Sequence, residues 1–245
     1  MLKKFLFIIS LLLLVTSCTF TEEVHFNKDG SGSYNFEVDM SEMLQEMKDM
    51  GTKEDSLSEP EVIDTTYYFR DILEEKKDSI AQLSEEDQAS LRAIADMNVH
   101  MQVDEEKGKM LMAFGLDFKD VSDIKNIEEK LSKAMAVNKK QTNNPPMFNK
   151  SNVTFSFDGK NFTRKTIPKD LTKEEEEEVD KGIEQSGSFL EGSTYKLIYH
   201  FTKKIKTVTY KDANISNDGK TLTIEVPMDS LIKHPTLLDF KLKLN

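Results

Sequence analysis

Four times along this chain apolar and polar residues alternate, break at a short turn, and alternate again. This pattern constrains the fold more than any other feature. Successive strand side chains point to opposite faces, so a period of two makes one face apolar and leaves the other wet. The first instance runs from Val24 to Asn27, turns through Lys28-Asp29-Gly30-Ser31-Gly32, and returns with Tyr34, Phe36, Val38 and Met40 in phase. The second has Met97, Val99, Met101 and Val103 before a turn at 105–109, then Met110, Met112, Phe114, Leu116 and Phe118. The third pairs Val153, Phe155 and Phe157 with Phe162 to Ile167 around Asp158-Gly159. In the fourth, a strand carries Tyr195, Leu197, Tyr199 and Phe201, and Val208 with Tyr210 is expected to continue the same sheet after a bend. Asn217-Asp218-Gly219-Lys220 then turns into Leu222, Ile224 and Val226, ended by Pro227. Gly in these turns supplies the positive φ that tight hairpins need.

Helical segments follow the hairpins. Asp39 and Glu42 have capping-box spacing, and Met43, Leu44, Met47 and Met50 share one stripe behind them. Thr65–Lys77 and Ser84–Asp96 read as helices, the second capped by Ser84 ahead of three acids. Val121, Ile124, Ile127, Leu131 and Met135 form the buried side of a further helix. Thr172 and Glu175 cap another, which runs through Ile183. A short helical turn at Asp229–Lys233 precedes a terminal strand carrying Leu238, Phe240, Leu242 and Leu244. Residues 51–64 lack periodicity and read as an exposed loop. Antiparallel strands with one apolar face, covered there by helices, give an α+β fold of repeated β-hairpin–helix units. The units share little identity beyond Val24-His25 and Val99-His100. Asn143-Asn144-Pro145-Pro146 lies in the best linker, 138–150, which divides an N-terminal lobe (24–137) from a C-terminal lobe (151–245). The two lobes could also share one sheet.

The N-terminus carries a different signal. Lys3 and Lys4 precede an apolar run from Phe5 to Val15, shorter than the ~20 residues a membrane span needs. A basic start, an apolar core and small residues before Cys18 mark residues 1–17 as a secretory signal peptide. Val15-Thr16-Ser17-Cys18 resembles the lipobox of bacterial lipoproteins. The resemblance implies lipid on the Cys18 sulfur, cleavage before it, and membrane attachment through the acyl chains. Residues 18–23 then read as a lipidated tether. Thr19 in place of Asp after the cysteine favours the outer membrane over the inner. Glu22 and Glu23 resemble the acidic residues that send some lipoproteins to the cell surface. The stretch from Val24 to Leu44 also resembles the opening of other small lipoproteins, and that likeness implies no activity.

Removing residues 1–17 takes away two lysines and no acids, leaving 31 basic residues against 44 acidic and a formal charge of −13. Such a chain is repelled by nucleic acid and by anionic head groups, so no nucleic-acid partner is expected. Cys18 is the only cysteine, which excludes disulfides and cysteine-based zinc sites.

Local motifs for chemistry are absent. Aligning Asp29-Gly30 with an EF-hand loop puts His25 and Phe36 at ligand positions, so the calcium pattern fails. No Gly-x-Ser-x-Gly elbow occurs, Ser31 and Ser33 belong to a glycine turn, and Glu174–Glu178 suits a helix start. Of the four histidines, His25, His100 and His200 fall on polar faces by alternation, while His234 lies near the C-terminus. Neighbouring strands would bring two or three of them together, but solvated histidines are the plainer expectation, and neither a metal ligand set nor a cofactor is assigned. The methionines are more suggestive. Met43, Met47 and Met50 make a flexible thioether face able to accept an irregular apolar ligand, and thioethers also ligate Cu(I). Core filling explains the same residues.

The sequence therefore points to a membrane-anchored, non-catalytic interaction or scaffold module with an envelope protein partner. The alternatives are a carrier or sensor of an apolar ligand held between sheet and Met-rich helix, and a hydrolase without a local motif.

Overall fold

The computed structural model describes residues 18–49, 62–125 and 150–245, together with residues 127, 130, 131, 134 and 137. Residues 1–17, Met50, the Met47 side chain, residues 51–61, Met135 of the expected helix and residues 138–149 lie outside the described residues.

The alternating segments form strands. They are β1 (Thr19–Phe26), β2 (Gly32–Asp39), β3 (Val62–Tyr68), β4 (Asn98–Asp104), β5 (Lys109–Phe118), β6 (Ser151–Phe157), β7 (Asn161–Pro168), β8 (Thr194–His200), β9 (Ile205–Val208), β10 (Asn214–Ile215), β11 (Thr221–Pro227) and β12 (Phe240–Leu244). The helices are α1 (Ser41–Asp49), α2 (Phe69–Glu75), α3 (Lys77–Ile80), α4 (Glu85–Arg92), α5 (Lys173–Gln185), α6 (Gly187–Leu190) and α7 (Met228–Lys233). The fold is α+β, as the alternation implied. A large sheet has the order β10-β11-β8-β1-β2-β5-β4-β3, and a small one the order β6-β7-β12-β9. All described pairings are antiparallel except β1 with β8.

That parallel pairing sets the architecture. It places residues from 24–137 and from 151–245 in the same sheet, with Thr19 opposite Thr194 and His25 opposite His200. The linker thus separates segments of sequence and not two separate sheets.

Local signals placed several helices well. Ser84 Oγ accepts from the Asp87 N–H at 3.1 Å and opens α4. Thr172 and Glu175 cap α5 reciprocally, at 2.8 and 3.3 Å. At α1 the Asp39 carboxylate accepts the Ser41 N–H at 2.9 Å, and Ser41 Oγ accepts from Met110 N–H at 3.0 Å, fastening the helix to β5.

Five expectations are corrected. Residues 18–23 are no tether, because β1 begins at Thr19 and the Cys18 carbonyl already accepts the Thr194 N–H at 3.1 Å. Thr65 to Tyr68 belong to β3, not to a helix, and residues 62–64 to the same strand instead of a loop. The run Thr65-Thr66-Tyr67-Tyr68 is β-branched and aromatic, and it finds a partner in β4. The helix expected from Val121 is interrupted, since a 3₁₀ turn at Val121–Ile124 ends at Lys125 with extended backbone; Ile127, Leu131 and Ala134 resume a helical conformation and are buried. Val208 does not continue the sheet of β8; β9 crosses to the small sheet and pairs with β12.

The two sheets meet over aromatic side chains. Phe162 of β7 is fully buried, with ring centroids 5.5 Å from Phe26, 5.2 Å from Tyr199, 5.7 Å from Phe201 and 5.7 Å from Phe240. Each such ring removes 150–250 Å² from water, roughly, and tilted or edge-on pairs add to that burial. The inner face of β1 therefore looks into a dry core, and its outer face does not.

Candidate functional site

β1 is the strand on which the two faces can be compared residue by residue. Phe20, Glu22, Val24 and Phe26 point inward and are buried, while Glu23 and His25 point out. Glu22 is only 2% exposed. Its carboxylate accepts from Arg164 Nη2 at 3.2 Å, from the Tyr195 hydroxyl at 3.0 Å, and from the Tyr199 hydroxyl. Arg164, on β7 and 3% exposed, also donates through Nη1 to the Leu238 carbonyl at 3.3 Å. Burial acts against the Arg164 charge, but Glu22 and the two tyrosine hydroxyls outweigh it and hold the guanidinium pKa above its ordinary value. Burial first, and then the Glu22 carboxylate, push the Tyr199 phenol well up, so it stays a donor. The cluster fastens the small sheet to the large one. Arg164 Nε remains buried without a hydrogen-bond partner among the described residues.

The outer face is polar and register-matched. One row runs Thr221, His200, His25, Ser33 and Asp117 across β11, β8, β1, β2 and β5. His25 and His200 stack, with centroids 4.0 Å apart and planes 6° from parallel. Glu23, two residues back on β1, reaches both rings, with its Oε1 3.1 Å from His25 Nε2 and 2.7 Å from His200 Nε2. His200 Nδ1 lies 3.1 Å from Thr221 Oγ1. One donor atom from each of Glu23, His25 and His200 lies within 4.8 Å of the other two. His100 stands apart on β4, its Nε2 3.0 Å from Asp64 Oδ1. The face also carries Glu37, whose carboxyl is pushed above its usual range by burial and then by Asp39 and Glu23.

The structure thus joins His25 to His200 and leaves His100 out. The Val-His signature that the hairpins share marks the same face, not one cluster. Met43 is half-buried on α1, over β5. One hollow, about 1020 Å³, lies between α4 and the segment after β5 and is lined by charges such as Glu86, Asp96, Lys119 and Asp123, away from Met43. The Met101 and Met112 side chains face each other across β4 and β5 on the inner side.

Sequence reasoning missed the Glu22–Arg164 cluster and the role of Glu23. A signal existed for the first. Glu22 sits in the apolar phase of β1, between Phe20 and Val24, and Arg164 follows Phe162 in the apolar phase of β7. An acid and a base each in a buried phase are each other's natural partners. In the folded protein Glu22 is buried and only Glu23 of that pair is accessible.

No helix among the described residues is long and apolar enough to cross a membrane. No protein-family model matches the chain, and no curated protein matches it in sequence. Among solved structures, the folded domain of LppM from Mycobacterium tuberculosis is similar at 6% identity and a TM-score of 0.34, covering 96% of this chain and 94% of that one. At that identity and score the likeness says nothing of shared residues or activity.

Proposed function

We propose that this chain is a non-catalytic cell-envelope module, held to a bacterial membrane by lipid on Cys18, which engages a protein partner through the outer face of its large sheet. One observation carries the anchored reading: a cut before Cys18 leaves every described strand intact, because β1 begins one residue later. With no spacer, the domain is held directly against the lipid surface, the end of the sheet that carries Cys18 and Thr194 lowermost. In the unlipidated full chain Cys18 is 5% exposed, so lipid on its sulfur requires this end of β1 to open. Thr19 after the cysteine favours the outer membrane.

The outer face supports the recognition role. Glu23, Glu37, Asp39, Asp64, Asp117 and Glu225 outweigh Lys109 and Lys196 there, which suits a basic protein surface and disfavours anionic lipid. Its charged groups bond to one another across strands, as in the Lys196–Glu225 ion pair at 2.7 Å.

The test is metabolic labelling of the full chain in a bacterial host with a palmitate analogue. Wild type is expected to take up label and to fractionate with membranes, and Cys18→Ser to lose both. An unlabelled wild type, or label that survives Cys18→Ser, overturns the anchor.

A further inference from the structure

We propose that Glu23, His25 and His200 form a binding site for a first-row divalent cation of the Zn(II) class. The site goes beyond the anchoring and recognition roles and needs neither.

The donor set carries the argument first. Two imidazoles and one carboxylate suit Zn(II), Co(II), Ni(II) or Fe(II), and not the all-oxygen preference of Mg(II) or Ca(II). Distances agree with it. Bonds of about 2.1 Å at a tetrahedral angle put two donors roughly 3.4 Å apart. Glu23 Oε1 stands 3.1 and 2.7 Å from the two Nε2 atoms, so each of these two pairs has to part by less than 1 Å to take a cation. The donor nitrogens of the two rings lie within 4.8 Å of each other and close the set. The stacked rings must tilt to aim both lone pairs at one point. With side chains 53% and 32% exposed, His25 and His200 have room to do so.

The backbone preorganises the set. His25 and His200 are register partners on parallel strands, and Glu23 is the next outward residue on β1, so all three sit on one rigid patch of sheet. Thr221, opposite His200 on β11, accepts the Nδ1–H in the tautomer that leaves Nε2 free for metal. This is the outer-sphere support that ligating histidines commonly have. A dication bound there would also compensate the charge of the Glu23 carboxylate. Open coordination positions remain for water or for a donor from a partner.

The full chain, purified in detergent and stripped with chelator, is titrated with Co(II) and Zn(II) and followed by the Co(II) d–d spectrum and by histidine ring NMR. One equivalent of Co(II) is expected to give a ligand-field spectrum that Zn(II) removes by displacement. The ring signals of His25 and His200 should move while those of His100 and His234 stay. Glu23→Gln, His25→Ala and His200→Ala should each abolish stoichiometric uptake, His100→Ala should not, and Thr221→Val should weaken binding about 10- to 100-fold. No uptake by wild type overturns the site. So does uptake that persists in both His25→Ala and His200→Ala, or a wild-type spectrum in which the His100 or His234 ring moves instead. The wild-type NMR readout holds even if a variant misfolds, and none of these outcomes depends on whether Cys18 carries lipid.

Discussion

Glu22 and Glu23 are adjacent and chemically identical, yet they belong to different worlds. Glu22 faces the small sheet, carries three hydrogen bonds from Arg164, Tyr195 and Tyr199, and is sealed from water. Glu23 faces outward, 31% exposed, with two histidines at hydrogen-bond distance. The inner carboxylate holds two sheets together, and the outer one is free to exchange its partners. A single step along a strand turns an acid from a structural strut into a candidate ligand, because strand geometry sends neighbours to opposite sides.

The largest expected effect lies inward. Arg164→Met leaves the Glu22 charge buried without its cation and is expected to cost about 3–5 kcal/mol in urea unfolding. The double replacement Glu22→Leu with Arg164→Met should recover much of that loss. A cost below about 1 kcal/mol for Arg164→Met would show that water reaches Glu22, and the contrast between the faces would break. Phe162→Ala removes the ring at the centre of the inter-sheet cluster and is expected to cost about 3–5 kcal/mol, seen as a lowered thermal midpoint.

Outward changes should be mild. Glu23→Gln is expected to alter stability by less than about 1 kcal/mol, as for exposed ion pairs, while it abolishes cation uptake. A loss as large as that of Arg164→Met would place Glu23 in the structural class instead.

The smallest effect sharpens the comparison at a third acid. Asp158, in the β6–β7 turn, accepts from the N–H groups of Lys160 and Asn161 at 2.9 and 2.6 Å, and from the Asn161 side chain at 2.8 Å. The Asn161 side chain, followed by those backbone donors, lowers its carboxyl from 3.8 to about 2. A depressed pKa stabilises the fold above the ordinary carboxyl value and ceases to do so as pH falls through the folded value. The difference in stability between wild type and Asp158→Ala should therefore be constant near neutrality, narrow below pH 3.8 and be nearly gone by about 2. Carbon-detected NMR titration of the Asp158 carboxyl checks the midpoint directly. An acid can thus be strongly held with no burial at all, through bonds within four residues of itself.

Much was legible along the chain. Alternation located nearly all the strands, and the turn glycines located the hairpins: Gly30 has φ 90°, Gly159 83° and Gly219 74°. Capping residues located α4 and α5. These are local properties, set by steric and hydrogen-bonding preferences within a few residues, so sequence carries them. Failures came at Thr65–Tyr68 and at Val208, where strand pairing overrode a local reading, and at Lys125, where the backbone turns extended after a short 3₁₀ turn.

By itself, then, the sequence determined which residues alternate, which face each occupies, where hairpins turn, and that an apolar run precedes the one cysteine. It could not say which strand lies beside which. The parallel pairing of β1 with β8 joins residues some 175 positions apart, a distance over which no periodicity runs. That pairing alone puts His25 beside His200, and the packing of one sheet on the other alone puts Arg164 against Glu22. The first is a pairing of strands within one sheet and the second a packing of sheet on sheet, and both depend on which arrangement buries apolar area while pairing buried charge.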